Sequence, residues 1–409
     1  VQWQREMESR SWVWNAVDGK YVSSPNEVPL DAQYVVQALD APTQAEMATA
    51  VSESPLLQQL AKKYMEKASI KEYAYPVVMD AANRNLAQIY LQERPGPDSL
   101  RDLARQIFEA VQHLHSRKLM HGDLKVASEH RPCYCSLSVP APATPVSLPS
   151  HLCHNQRLGV TTHFTTQTLN LVRSVMDGKL RLIDFDAFAV ILGGADTEES
   201  YACAKFSSGV LPPEALHQLK DEERSQFDKY WEVIKDEDPE LWSKVQPKNS
   251  KQGKQYVVKT FRTGDKDGKP IKDGLPYVLL PASASLDMWS LGVMLYLLLT
   301  GENLVPVTRD DDFVSGTGMG FIFDWDDQKR RESLSKVNNP AANDLLSQLL
   351  SPDPTKRSEN SLQQLLKEHS FFNPKPGDIE MQKKLDAIQE GVNKVLEEQD
   401  KQTALLLVI

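Results

Sequence analysis

The sequence predicts an α+β fold: a short strand-bearing N-terminal part followed by a larger, mainly α-helical part. Three observations predict it. Tyr34-Val-Val-Gln-Ala-Leu39 and Tyr75-Pro-Val-Val-Met79 are short runs rich in β-branched residues, which suit a pleated surface. Leu100, Leu103, Ile107, Val111 and Leu114 recur at spacings of 3, 4, 4 and 3, which is one face of an amphipathic helix. Ser285 to Thr300 is strongly apolar, as a helix buried on most sides would be.

Taken in order, the first helix is expected to be capped by Asp98 or Ser99. Leu169–Val172 and Leu180–Ile183 read as a strand pair, with Asp177-Gly178 between them as a hairpin turn signal. Residues 217–280 form a stretch rich in Lys, Asp and Glu, with a strand-like Gln255-Tyr-Val-Val-Lys259 inside it. Residues 341–372 read as two helices. Leu385, Ile388, Val392 and Val395 then continue to Gln399, Gln402, Leu406 and Ile409, a heptad seam with a polar interruption. That seam suits either a coiled-coil partner or self-association through 381–409, or a single surface helix.

Composition narrows the class of protein. Of the 409 residues 41% are hydrophobic, and the net charge is −10. An acidic chain carries no broad nucleic-acid footprint. The longest apolar run, Leu291 to Leu299, is far short of the roughly 20 residues a membrane span needs. The four cysteines, Cys133, Cys135, Cys153 and Cys203, are too few for a disulfide scaffold of this size. No secretory signal opens the chain. The expected location is cytoplasmic or otherwise intracellular, including the nucleus. The first residue is Val1 rather than Met, so a fragment of a longer product is expected.

Two blocks carry chemistry. Phosphoryl transfer needs a carboxylate to orient an attacking hydroxyl, a cation near the transferred phosphate, and an amide and a carboxylate to hold Mg²⁺. His121-Gly-Asp-Leu-Lys125 offers Asp123 and Lys125, and Asp184-Phe-Asp186 follows a strand and offers Asp184. These blocks resemble the catalytic loop and the Asp-Phe-Gly block of protein kinases. Further blocks follow in the order that family uses. Gly209-Val-Leu-Pro-Pro-Glu214 resembles the end of an activation segment, and Asp287-Met-Trp-Ser-Leu-Gly292 resembles the opening of the long central helix. Asp353-Pro-Thr-Lys-Arg357 resembles the late block whose arginine pairs with the glutamate.

The resemblance spans roughly residues 75 to 372, less two insertions at 126–167 and 217–280. It implies a protein-kinase-like two-lobed fold with a mainly α-helical C-lobe and a truncated β-rich N-lobe. The domains read as an N-lobe remnant at 1–79, a C-lobe at 80–372 and a C-terminal helix at 377–409. The implied function is a protein Ser/Thr kinase that uses ATP and Mg²⁺ and acts on protein substrates. Asp123 is then the base and Lys125 the phosphate contact, while Asn170 and Asp184 hold Mg²⁺. Met79 and Asp80-Ala-Ala82 resemble the gatekeeper and hinge that hold adenine. Lys125, two residues after the catalytic Asp, points to Ser/Thr rather than Tyr targets. Asp287 is expected to brace the catalytic loop, and Glu214 to pair with Arg357.

The chain departs from that pattern in several places. The family places an Asn five residues after the catalytic Asp, and here Ser128 stands there. Residues 126–167 hold no Lys and no Asp, but five Pro and three of the four Cys, and no period survives across them. With this segment removed, Asn170 falls into register. It begins with Val and ends with Gln, whose codons suit intron edges, so a retained intron is expected, with a looped-out insertion as the rival. Cys133, Cys135, His151, Cys153 and His154 are zinc-ligand types, but nothing around them looks folded, and a zinc site is not expected.

No Gly-rich phosphate loop and no Val-Ala-Ile-Lys strand precede the catalytic loop, and Trp3-Gln-Arg-Glu6 resembles the helix that would carry the partner glutamate. Gly122 replaces the usual Arg, so activation is not expected to depend on a phosphorylated loop. Asp186 replaces the usual Gly. Thr197, Ser200, Tyr201, Ser207 and Ser208 are the activation-segment hydroxyls open to phosphorylation. With a split catalytic loop and no upper phosphate clamp, little activity is expected of the chain as written. The alternative is a pseudokinase or scaffold, binding partners through 217–280 and the C-terminal helix.

Overall fold

A computed structural model of the chain describes residues 82–125, 170–192, 200–264, 269–308 and 310–377, the segment 30–36, and isolated positions up to 391. It also places the strand backbones Trp12–Asn15, Lys20–Ser23, Ala38–Leu39 and Val78–Met79. Glu6, Thr197, the segment 126–167 and nearly all of the heptad seam lie outside the described residues.

The fold is α+β. Two small antiparallel ribbons belong to the N-terminal part, Trp12–Asn15 with Lys20–Ser23 and Ala38–Leu39 with Val78–Met79. The second ribbon joins the ends of the two segments read as strands. A three-stranded sheet follows, in which Leu171–Ser174 lies between Ala82–Asn85 and Leu180–Leu182. Its hairpin turns at the expected Asp-Gly, with Gly178 in the left-handed region at φ 71°.

The helix Pro97–His115 buries Leu103, Ile107, Phe108, Val111 and Leu114, the face its spacing predicts. Its cap is not the expected Asp98 or Ser99. The helix starts earlier, with Gly96 at the cap and Pro97 at the first position, where the missing proline N–H costs nothing. Asp98 instead pairs with Arg101 inside the first turn, at 2.7 Å. The central helix Ala284–Thr300 is capped by Ser283 and buried on nearly every side. In the C-terminal region three helices stand where two were expected: Pro340–Leu349, Pro354–Arg357 and Leu362–Glu368. Pro354 cannot continue a helix from 349, and the Asp353 side chain caps a new one by accepting from the Thr355 N–H. Of the seam residues, Ile388 is described, and it is exposed.

The charged stretch 217–280 is not an appendage. Leu216–Leu219, Gln255–Val258 and Lys248–Asn249 form an antiparallel sheet with Gln255–Val258 in the middle. The helices Asp221–Glu237 and Pro239–Val245 follow its first strand. Phe227, Tyr230, Trp231 and Tyr256 are buried in the common core, while Glu222, Lys229, Glu232, Lys235 and Glu237 of Asp221–Glu237 are exposed. This unit is tied to the preceding segment. Thr260 Oγ1 donates to the Cys203 carbonyl at 2.7 Å, and the Lys259 N–H donates to the Ala215 carbonyl at 2.8 Å. Ala202 and Ala282 N–H groups reach Leu280 and Ser200 carbonyls, each at 2.9 Å. Among the described residues no helix is long and apolar enough to cross a membrane.

Residues 30–36 dock the N-terminal part onto the helical part. The Val36 N–H donates to the Leu182 carbonyl and the Leu182 N–H to the Tyr34 carbonyl, at 3.0 and 2.8 Å. The Asp31 N–H donates to His113 Nε2 at 2.8 Å, and Arg117 Nη1 lies 3.0 Å from His113 Nδ1. A neutral imidazole has one acceptor nitrogen: Nε2 takes the Asp31 N–H, so Nδ1 carries the ring proton beside Arg117, and a second proton on Nε2 would cost the Asp31 hydrogen bond. Burial, then the neighbouring Arg117 charge, pull the His113 pKa from 6.5 down to about 4, against the weaker pull of Asp31.

Because the folded pKa is depressed, the unfolded chain binds a proton that the folded chain refuses. That stability is fully present above pH 6.5 and is lost as pH falls toward 4. The loss should reach up to about 3 kcal/mol. Equilibrium unfolding of the wild type and of His113→Gln, whose side-chain oxygen can still accept from Asp31, should show a shallower pH slope for the variant across this window. Equal slopes would remove His113 from the account.

Candidate active site

The strand Leu119–Met120 pairs with Ala189–Val190. That pairing lays the loop 121–125 beside the turn 184–188. Asp287, in the first turn of the central helix, holds the first loop from below. Its Oδ2 accepts the His121 N–H at 2.8 Å and its Oδ1 accepts the Gly122 N–H at 2.9 Å, while His115 Nε2 lies 2.9 Å from Oδ2. Burial alone would raise the Asp287 pKa. The His115 hydrogen bond, the two histidines and the Gly122 N–H outweigh it and hold the carboxyl below its ordinary value. This is the bracing role expected of Asp287.

Gly122 is required by its backbone. Its φ is +81°, and a Cβ there would sit 2.4 Å from the Ala187 carbonyl oxygen. An arginine at this position would need both a strained dihedral and a displaced 184–188 turn.

Asp123 is 9% exposed. Its Oδ2 accepts from Lys125 Nζ at 2.8 Å, whereas its buried Oδ1 has no partner among the described residues. Burial would lower the Lys125 pKa, but Asp123, Asp311 and Asp184 together raise it, so the amine is held firmly cationic. Asn170 is fully buried, and its side-chain Nδ2 donates to the Asp123 carbonyl. Its Oδ1 is buried without a partner among the described residues. The Ile183 N–H donates to the Asn170 carbonyl at 3.0 Å, which sets Asn170 beside the approach to Asp184.

Asp184 is a non-glycine residue at φ 63°. Such strain persists only where surrounding structure holds it, and it concentrates at functional sites. Burial, followed by repulsion from Asp186, raises the Asp184 pKa against the pull of Lys125. Asp186 is exposed and pairs with Lys205 of the following segment. Its φ is not positive, so the freedom of a glycine is not used there.

The residues read as the site are brought together unequally. Asp123, Lys125, Asn170 and Asp184 converge. Ala82 opens a strand paired with Leu171–Ser174, directly after Asn170, and Met79 ends the strand before it. Asp80 lies outside the described residues, as do Ser128 and the zinc-type cysteines and histidines. Among the described residues no three His, Cys, Asp or Glu side chains gather as a metal cluster. A cation here would take an amide oxygen and a carboxylate from the protein and complete its shell from phosphate and water.

Ser207 was read only as a phosphorylation candidate. It is 1% exposed, and its Oγ accepts from Lys125 Nζ at 2.9 Å. Ser208 is buried as well. Nothing in the local sequence separates Ser207 from neighbouring hydroxyls, because the contact spans 82 positions.

Residues 279–372 match the family model described as Protein kinase domain. The matched stretch contains both Asp287 and Arg357. No curated protein matches the chain.

Proposed function

We propose that this protein kinase domain transfers the γ-phosphate of ATP to serine or threonine hydroxyls of protein substrates. The observation that carries the reading is the pair of buried, unpartnered acceptors: Asp123 Oδ1, on the loop that Asp287 braces, and Asn170 Oδ1, on the residue whose amide donates to the Asp123 carbonyl. Buried polar atoms are almost always satisfied, so two orphaned acceptors on residues joined by a hydrogen bond suit ligands that arrive from outside.

In this reading Lys125 occupies Asp123 Oδ2 and leaves Oδ1 to orient the substrate hydroxyl and take its proton. The Lys125 ammonium offsets charge on the transferred phosphate. Asn170 Oδ1 and the Asp184 carboxylate suit Mg²⁺, a hard cation that prefers oxygen ligands and commonly binds through few protein groups plus phosphates. When bound, Mg²⁺ neutralises phosphate charge. In this reading Met79, Asp80 and Ala82 would hold adenine.

In the natural product with an uninterrupted catalytic loop, Asp123→Asn should lower MgATP-dependent peptide phosphorylation about 10²–10⁴-fold, the usual contribution of a positioned base. Nucleotide binding, measured by calorimetry, should persist in that variant. The product should be phosphoserine or phosphothreonine. A wild-type chain that neither binds MgATP nor phosphorylates protein would leave the scaffold reading, with the packed 217–280 unit as its binding platform.

A further inference from the structure

We propose that Asp312 is a positioning residue for the Lys125–Asp123 pair, acting through the segment Ser207–Gly209. Its catalytic meaning rests on the kinase reading above.

Asp312 is 8% exposed, and its Oδ1 accepts both the Ser208 N–H at 2.8 Å and the Ser208 hydroxyl at 2.9 Å. The same hydroxyl accepts the Phe313 N–H at 3.0 Å. The next residue extends the staple, with the Gly209 N–H donating to the Asp311 carbonyl at 2.8 Å. Only glycine fits there: a Cβ would lie 2.4 Å from Val307 Cγ1 and 2.6 Å from the Asp311 oxygen.

Four hydrogen bonds thus fix Ser208 and Gly209 to the 311–313 loop. One residue upstream, Ser207 Oγ meets Lys125 Nζ, which in turn meets Asp123 Oδ2.

The loop bearing Asp312 is itself anchored. The Asp312 N–H donates to Thr308 Oγ1 at 3.2 Å and the Thr308 N–H to the Asp312 carbonyl at 2.6 Å. Lys248, from the 217–280 unit, donates to the Phe313 carbonyl at 2.8 Å. The charged unit, the Asp312 loop, the Ser207 segment and the Lys125 amine form one contact chain.

Acylation of lysines by an acetyl ester, read by mass spectrometry on the intact chain, tests the tether without nucleotide. Asp312→Ala should raise the Lys125 labelling rate about threefold or more by local opening, while the exposed Lys205 keeps its rate. Asp312→Asn retains an oxygen for both Ser208 donors and should stay near wild type. If Asp312→Ala does not fold, Ser208→Ala gives a smaller rise at Lys125. In phosphotransfer, Asp312→Ala should lower kcat about tenfold with little change in KM for ATP, since small misplacements near the reacting centre act on the chemical step. Asp312→Asn should restore it.

Unchanged Lys125 labelling in folded Asp312→Ala, or equal labelling in the Ala and Asn variants, overturns the tether. A freed Lys125 with unchanged kcat overturns the positioning role. A wild type that transfers no phosphate, yet shows the labelling pattern, counts against the kinase reading while the tether stands.

Discussion

Replacing Arg357 with alanine is expected to destabilise the protein by about 3–5 kcal/mol, the usual result of removing one member of a buried ion pair. The Arg357 side chain is completely buried. Its Nη2 pairs with Glu214 Oε1, its Nη1 donates to the Ser351 carbonyl at 2.7 Å, and the guanidinium lies 5.4 Å from the Trp289 ring centre. Without it, the largely buried Glu214 carboxylate would keep only the weaker influence of the Lys259 charge. Burial already pushes the Glu214 pKa up, against the pull of Arg357, and Glu214 Oε2 has no partner among the described residues.

Urea unfolding near pH 7 should therefore show a much lower midpoint for Arg357→Ala. Arg357→Lys should recover only part of the loss, because an ammonium cannot reach Glu214 and Ser351 in the same planar fork. The double variant Arg357→Met, Glu214→Leu should lose less than the two single truncations summed, since neither charge is then stranded. A loss below about 1 kcal/mol for Arg357→Ala would mean that the pair is solvated in practice.

Asp287→Ala should be comparably costly and should also abolish phosphotransfer. The substitution strands the His121 and Gly122 N–H groups and the His115 ring together. Each stranded buried donor costs about 1–3 kcal/mol, and because the donors share one acceptor their losses should not simply add, giving a total of about 3–5 kcal/mol. The two amides belong to the residues just before Asp123, so the residue proposed as the base loses its position as well as its support.

Hydrogen exchange at His121 and Gly122 should accelerate strongly in Asp287→Ala, and phosphotransfer should fall at least about 10²-fold. Asp287→Asn keeps one carbonyl oxygen but turns an NH₂ toward a donor, so it should lie between the wild type and alanine. Slow exchange at these amides in Asp287→Ala would show that the loop is held by something else.

Much of the fold was legible in the sequence because the relevant physics is local. The spacing of Leu103, Ile107, Val111 and Leu114 marks the buried face of Pro97–His115, since a helix repeats every 3.6 residues whatever it packs against. The strongly apolar stretch after Ser283, longer than a strand would be, marks the buried central helix. Asp177-Gly178 marks a turn because few residues accept a left-handed backbone. Asp123, Lys125, Asp184 and Asp287 stand in short blocks whose order survives the long stretches between them.

Tertiary structure decided what no local pattern encodes. Composition showed 217–280 only as charged, yet its few aromatic residues, Phe227, Tyr230, Trp231 and Tyr256, draw it into the core. Gly122 read as a missing arginine, whereas the Ala187 carbonyl makes glycine the residue that fits. Asn170 meets Asp123 across 47 positions, Ser207 meets Lys125 across 82, and Asp312 meets Ser208 across 104. Periodicity reports which face of an element is buried and turn chemistry reports where the chain reverses. Neither carries information about which distant polar atom will complete a buried hydrogen bond, and that pairing is settled only when the elements pack.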